Sequence, residues 1–352
     1  MNPDTVQIAD RAIGPACPPF VIAEMSGNHN QSLERAFEIV DAAAAAGAHA
    51  IKLQTYTADT MTLDVDRDEF RILDSGSLWH GRHLHELYEE AHTPWDWHSP
   101  IFERAQQRGM IAFSSPFDES AIEFLESLNA PAYKIASFEL TDLRLIATAA
   151  RTGKPLVMST GMASLAEIQH AVDCARQHGC QQIVLLKCTS TYPATPESTN
   201  LRTIPHLRDC FQTQVGLSDH TAGVGAAVAA VALGATVIEK HFTLSRADGG
   251  VDSAFSLEPD ELKALVVESE RAWQAMGEIQ YGATGDQQKS LMFRRSIFIS
   301  ADVAAGEVVQ PSHIRIIRPG HGLAPSLWDR VCGRTASRDL KRGEPTDWDM
   351  FV

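Results

Sequence analysis

An α/β fold, a (β/α)8 TIM barrel followed by a small β-rich C-terminal module, is what the sequence predicts, and three observations predict it. Eight short apolar stretches recur along the first 241 residues. Five of the seven gaps between them are one strand-plus-helix unit long, about 22 or about 30 residues, which is the spacing of βα units feeding a parallel sheet. Each stretch ends in, or leads to, a polar residue that a hydrophobic strand has no structural use for. In a barrel those positions form the C-terminal rim, where active-site groups sit.

In chain order, FVIAE ends at Glu24, AIKLQ carries Lys52 and Gln54, IAFSS ends at Ser115, and YKIAS carries Lys134 and Ser137. LVMST carries Ser159, IVLLKC leads to Thr189, VGLSDH ends at His220, and TVIEKH ends at His241. Helical patterns fill the gaps. Leu33, Phe37, Val40 and Ala44 follow the helical period before Gly47, which is placed to end that helix. Ser164 with Glu167 forms a capping-box signature ahead of Ile168, Val172 and Ala175. Leu262, Leu265, Val266, Trp273 and Met276 mark a last barrel helix closed by Gly277, and all five are expected in the core. The second gap is about twice the usual length and holds Asp59 to Pro100; insertions of this kind at a barrel rim shape substrate access, so it is read as part of the substrate pocket, with oligomer contact as the alternative.

The barrel is expected over residues 1–280, a Gly, Gln and Asp-rich linker over 281–292, and the β-rich module over 293–352. Two turn signals of similar form, at 305–307 and 342–344, punctuate the module. Of the net charge of −15, the module contributes nine Lys or Arg against seven Asp or Glu, so the barrel carries about −17. Such a surface argues against nucleic acid and anionic membranes as partners. Six cysteines show no paired spacing and the N-terminus lacks a charged-then-apolar leader, so a cytoplasmic location is expected. The uncharged run from Thr221 to Ile238 is broken by three glycines and reads as a helix followed by a strand, not a membrane span.

His220 and His241 end consecutive predicted strands, and adjacent strands lie about 4.8 Å apart, close enough for two imidazoles to share a divalent cation. Water, substrate or a carboxylate such as Glu239 would complete the coordination. Lys52 and Lys134 are costly to bury unless they meet an anion. With Ser115, Ser137, Ser159, Ser190 and Ser218 they form a candidate phosphate or carboxylate cradle, to which the Ser159-Thr160-Gly161 turn adds backbone donors. Glu24 is placed for general acid or base work, or else for pairing with Lys52 on the neighbouring strand. Arg318 lies in a Pro-Gly loop of the module, where its guanidinium either reaches a bound polar ligand or decorates a surface turn.

The segments IAEMSGNHNQSL, KLQTYT, YKIASFE, MSTGM, CTSTYP, GLSDHT and EKHFT, followed by RRSI and RPGHGL, resemble the sialic acid synthase family over nearly the whole chain. The resemblance implies a barrel followed by an antifreeze-like (SAF) domain that condenses phosphoenolpyruvate with an N-acetylated amino sugar. It implies metal ligation by His220 and His241, with Mn²⁺ expected first and Mg²⁺ or Co²⁺ as alternatives. Phosphoenolpyruvate would lie on Lys52, Ser115, Lys134, Ser137, Ser159, Ser190 and Ser218, where Ser190 replaces the Asn of many members. Glu24, Tyr192, Asp252 and Arg318 match sugar-side positions, with Glu24, His220 and His241 catalytic. Arg318 would be inserted into a partner's barrel, which implies a domain-swapped homodimer. The loop from Glu24 to Gln31 is similar to the pseudaminic acid branch of the family, whose sugar is 2,4-diacetamido-2,4,6-trideoxy-L-altrose; the N-acetylneuraminate and legionaminate branches are the alternatives. Two readings from other classes are a Schiff-base aldolase working through Lys134 or Lys187 and a non-catalytic carbohydrate-binding barrel.

Overall fold

A computed structural model describes residues 5–352, which divide into two compact units at Gly277. The first opens with an antiparallel hairpin, β1 (Val6–Ile8) and β2 (Arg11–Ile13). Eight parallel strands then close into a barrel: β3 (Phe20–Glu24), β4 (Ala50–Thr55), β5 (Ile111–Pro116), β6 (Tyr133–Ile135), β7 (Leu156–Ser159), β8 (Ile183–Cys188), β9 (Gln214–Asp219) and β10 (Val237–His241). Each strand pairs with its successor in sequence and β10 returns to β3. These are the eight stretches read from the sequence. Ser137 departs slightly, since β6 stops at Ile135 and Ser137 opens the 3-10 turn that follows.

Strand alternation sorts the side chains into two cores. Val21, Ala23, Ile51, Leu53, Ile135, Met158, Leu185, Leu217 and Ile238 face outward into the layer of helices. Phe20, Ile22, Ala50, Phe113, Ala132, Val157, Val184, Leu186 and Val237 fill the barrel interior together with Val6, Ile8 and Ile13 of the hairpin. The hairpin, to which the sequence reading gave no element, therefore supplies apolar filling at the N-terminal end of the barrel. Moving along each strand in the same inward phase, the apolar residues give way to Glu24, Lys52, Ser115, Lys134, Ser159, Cys188, Ser218 and Glu239. One end of the interior is a packed core and the other is polar.

The helices carry the punctuation expected. Ser32 caps α1 (Leu33–Ala45), and Gly47 follows it at φ +89°. The insertion after β4 contains α2 (Ala58–Met61) and α3 (Leu84–Ala91) before α4 (His98–Gln107). Next come α5 (Glu119–Ser127), α6 (Leu143–Arg151), and α7 (Leu165–Gln177) with its Ser164–Glu167 capping box. Then follow α8 (Thr203–Phe211), α9 (Gly225–Ala232) and α10 (Pro259–Met276), closed by Gly277. Met276 corrects the expected core, because it is 56% exposed on the last turn of α10. No described helix is long and apolar enough to cross a membrane.

In the second unit, residues expected as linker form the short helix α11 (Gln287–Ser290) and a 3-10 turn, and the Met292 carbonyl accepts from Gly320 N–H. The β-hairpin β11 (Ser296–Ile299) and β12 (Ile314–Ile317), with α12 (Trp328–Val331), surrounds a small core of Ile297, Ile299, Val303, Val309, Ile314 and Leu340. The two similar turn signals share one device. Gly306 and Gly343 adopt positive φ, and Glu307 and Glu344 accept from the backbone N–H three residues earlier, at Ala304 (2.9 Å) and Lys341 (2.7 Å).

Gly216 lies on the inner face of β9, where an added Cβ would sit 2.3 Å from the Val237 carbonyl oxygen and 2.6 Å from Leu186 Cδ2. Gly216→Ala is expected to destabilise the barrel by about 1–3 kcal/mol through overpacking, read by urea unfolding. On the outside, Arg108 at the C-cap of α4 and Arg104 within it both fork onto Asp41 of α1, and their hydrogen bonds hold its carboxyl down at about 2. A depressed folded pKa contributes stability that is complete above the ordinary value of 3.8 and is lost as pH falls to about 2. Asp41→Asn should therefore lower Tm at neutral pH, with the deficit shrinking as the pH is brought below 3.8; a deficit independent of pH would contradict this.

Candidate active site

Four charges meet at the polar end of the barrel. Lys52 and Lys134 are 3% and 2% exposed, and ammonium groups so deep need counter-charges. Lys52 Nζ lies 2.5 Å from Glu24 Oε2 and 3.9 Å from Glu239 Oε2, and donates to Ser115 Oγ at 3.1 Å. Lys134 Nζ donates to Glu239 Oε1 at 3.0 Å, which also accepts from Ser218 Oγ at 3.1 Å. Gln54 Nε2 donates to Glu24 Oε1 at 3.0 Å. The two carboxyls are driven apart. Burial raises Glu24 and the neighbouring Glu239 adds to this, so that Lys52 does not bring it back to the ordinary carboxylate range. Burial also acts to raise Glu239, but Lys134 and Lys52 together outweigh it and hold that carboxyl low. Titratable partners pushed in opposite directions are the mark of an acid–base pair.

Beside this quartet stand the two histidines. Their ring centroids are 5.3 Å apart, inclined at 55°. His220 Nδ1 donates to the Thr189 carbonyl at 2.9 Å, so Nε2 carries the lone pair only when the ring is neutral; burial, which lowers the pKa of this imidazole, is outweighed by Cys188 and the Thr189 carbonyl, which raise it. His241 Nδ1 is buried with no hydrogen-bond partner among the described residues, and Asp252 Oδ2 lies 3.9 Å away. Burial, then His220 and the nearby lysines, keep the His241 imidazole neutral. Asp252 itself is anchored by the Ser26 hydroxyl. Tyr192 packs against His220 at 4.4 Å and against Phe255 at 5.2 Å, and Phe255 contacts His241 at 4.9 Å. From the insertion, Trp79 reaches Tyr192 at 5.9 Å while its indole N–H donates to the Val251 carbonyl at 3.0 Å. The insertion thus packs against the tyrosine that lies beside His220.

The hydroxyls expected in the cradle fall into two groups. Ser115 and Ser218 serve the charged quartet, and Ser159 Oγ is buried with no partner among the described residues. Ser137 Oγ accepts from Gly161 N–H at 3.2 Å. A Cβ on Gly161 would lie 2.2 Å from Ser190 Oγ and 2.9 Å from Ser137 Oγ, so only glycine lets these hydroxyls approach the turn. Arg318 is an exposed residue of the second unit just beyond β12. Glu239, weighed from the sequence as a carboxylate for the cation, is engaged by both lysines instead.

Three contributors were missed in the sequence reading. Cys188 is in phase with Val184 and Leu186, and its Sγ lies 3.7 Å from Ser190 Oγ. That alternation was a usable signal. Trp79 and Phe255 carried none, because loop residues have no period that announces where they point. Lys187, one of the aldolase candidates, is out of phase with the interior and donates to the Cys188 carbonyl at 2.6 Å and Thr189 Oγ1 at 2.8 Å. Lys134, the other, is held by Glu239.

The sequence profile of the NeuB family matches residues 39–281 and that of the SAF domain residues 294–352. The pseudaminic acid synthase of Campylobacter jejuni is 44% identical over 325 residues, 92% of this chain and 94% of that protein. The pseudaminic acid synthase of Helicobacter pylori is 42% identical over 333 residues, covering 94% and 97%. A crystal structure of N-acetylneuraminic acid synthetase from Leptospira borgpetersenii superposes with a TM-score of 0.73 at 31% identity, covering 82% of this chain and 95% of that one. With the profile spanning well over half of its length and these relatives aligned along nearly all of it, the chain belongs to the NeuB family, the sialic acid synthase family its motifs resemble, and carries a SAF domain at its C-terminal end.

Proposed function

We propose that this chain is a pseudaminic acid synthase: it condenses phosphoenolpyruvate and water with 2,4-diacetamido-2,4,6-trideoxy-L-altrose, giving pseudaminic acid and phosphate. One observation carries the reading: two buried lysines and two buried carboxylates of opposite acidity share a barrel mouth with a pair of histidines. The relatives named pseudaminic acid synthases support the choice of sugar.

In this reading Lys52 and Lys134 exchange part of their pairing with Glu24 and Glu239 for the phosphate and carboxylate of phosphoenolpyruvate. Ser115, Ser137, Ser159, Ser190 and Ser218 add hydroxyl donors around the same anion. C3 of phosphoenolpyruvate attacks the open-chain sugar aldehyde, water adds at C2, and phosphate leaves with C–O cleavage. Lys52 and Lys134 sit where negative charge redistributes, already oriented and out of bulk water. Glu24, its carboxyl raised by burial, handles the proton of the water or aldehyde oxygen. Tyr192 and Asp252 face the sugar. A cytoplasmic, domain-swapped homodimer belongs to the same proposal, with Arg318 of one subunit serving the sugar of the other; it is supported by the family resemblance.

His220 and His241 are the residues that would hold a divalent cation, Mn²⁺ first. Their geometry fits one: the Nδ1 bond of His220 to the Thr189 carbonyl leaves its Nε2 without a described hydrogen-bond partner, and His241 has a neutral ring with an orphaned buried nitrogen. Among the described residues no third His, Cys, Asp or Glu completes a cluster, so water or substrate would fill the remaining positions. When bound, such an ion supplies Lewis-acid polarisation of a carbonyl oxygen.

The decisive experiment incubates the protein with phosphoenolpyruvate, Mn²⁺ and a panel of acetamido sugars and identifies products by mass. A pseudaminic acid product with released phosphate is expected, whereas acceptance of N-acetylmannosamine but not the altrose sugar would overturn the substrate. His241→Ala should abolish turnover, and full activity of that variant under chelator would remove the cation from the reading. The acid–base assignment has its own test. Glu24→Gln should cost at least about 100-fold in kcat, and the wild-type pH profile should show a limb above the ordinary glutamate range of about 4.3 that the variant lacks. A limb that persists in Glu24→Gln belongs to another group.

A further inference from the structure

The residue before each histidine is buried on the opposite face of its strand. Asp219 precedes His220 and Lys240 precedes His241, and strand alternation turns both outward among Leu217, Ile238 and the rest of the apolar layer beneath the helices. Their side chains are each 1% exposed, and Lys240 Nζ donates to Asp219 Oδ2 at 2.7 Å. Stability is a weak reason for a pair here, since replacing a buried ion pair with apolar residues of similar volume is often neutral or stabilising.

What the pair reaches suggests its use. The β9–β10 register ends with Lys240 opposite Asp219, one residue short of both histidines. Beyond that point the side chains continue the connection: Asp219 Oδ1 accepts from Thr221 N–H at 2.9 Å, and the Lys240 ammonium donates to the Thr221 carbonyl. The Thr221 carbonyl is therefore tied directly to Lys240, the residue before His241, and the Thr221 N–H to Asp219, whose other carboxylate oxygen Lys240 also holds. On its other side, His220 is held by the loop after β8, through its own carbonyl to Ala194 N–H at 3.0 Å and its ring to Thr189. His241 belongs to the β3 side, in register with Glu24. The two imidazoles lie just past the end of the β9–β10 ladder, and the buried ammonium bridges the two strands there.

We propose that Lys240, together with Asp219, is a positioning residue that sets the separation of the two imidazoles and so the affinity for a divalent cation. The inference rests on the reading of His220 and His241 as the cation-holding pair. Its test is Mn²⁺ alone, titrated by electron paramagnetic resonance against the full chain, with phosphoenolpyruvate affinity measured separately in the absence of metal. The double variant Asp219→Leu/Lys240→Met removes both charges and leaves neither buried alone. It should bind Mn²⁺ at least about tenfold more weakly, the usual scale for groups that orient metal ligands, with phosphoenolpyruvate affinity unchanged. Undiminished Mn²⁺ affinity, or equal losses for both ligands, would overturn the proposal. Should circular dichroism show the double variant unfolded, Asp219→Asn carries the same test with the same selective loss expected. Wild-type protein that binds no Mn²⁺ would instead sink the cation reading on which the proposal stands.

Discussion

The buried quartet of Lys52, Lys134, Glu24 and Glu239 is the constraint on which the rest of the site depends. Each charge alone would be prohibitive at that depth, and the four are tolerable because each faces an opposite charge within hydrogen-bonding or near-contact distance. The arrangement is not symmetric. Glu239 is shared by both lysines and is held ionised, whereas Glu24 has one lysine, one amide and a like-charged neighbour, and is pushed toward its protonated form. A proton on Glu24 leaves the quartet with excess positive charge, which is the state that welcomes an anion. Arrival of a phosphate or carboxylate and the protonation of Glu24 are thereby coupled in the same direction.

Such a cluster is possible only because the interior below it is dry and filled. Phe20, Ile22, Phe113, Val157, Val184 and Leu186 pack the lower layers, and the hairpin isoleucines Ile8 and Ile13 join them. With water excluded from that end, the polar layer meets solvent from one side, and its electrostatics are correspondingly strong. The barrel therefore does more than space eight loops. Its packed half fixes the positions of the inward-facing residues above it, on strands whose registers are set by the ladder instead of on mobile loops.

Most of this was legible in the sequence because one regularity, the two-residue alternation of a strand, decides both burial and orientation. FVIAE, AIKLQ and TVIEKH each announce a strand by their apolar run and a site residue by the polar group in phase with its inward face. Glu24, Lys52, Ser115, Lys134, Ser159, Ser218, His220 and His241 could be placed that way. What could not be read is any relation that needs the strands to be neighbours across the barrel: Glu239 was weighed for the cation, yet Lys134 on a strand far away in sequence claims it. Loop residues escape for a different reason. Trp79 sits in an insertion whose path is fixed by contacts such as its hydrogen bond to Val251, 172 residues away, and no local pattern encodes that meeting.

Four lysines on the barrel strands show how far orientation outranks residue type. Lys52 and Lys134 lie in phase with the interior and pair with its carboxylates. Lys187 is out of phase, half-buried, and spends its ammonium on the carbonyl and hydroxyl of the two residues after it. Lys240 is also out of phase yet is buried among the helices with Asp219. Chemistry that needs a lysine facing substrate has two candidates here, and a residue count would have offered four. The outward pair is informative for the same reason: a charge that cannot reach substrate and is not needed for solubility has its effect on the backbone it holds, and the backbone in question carries both histidines.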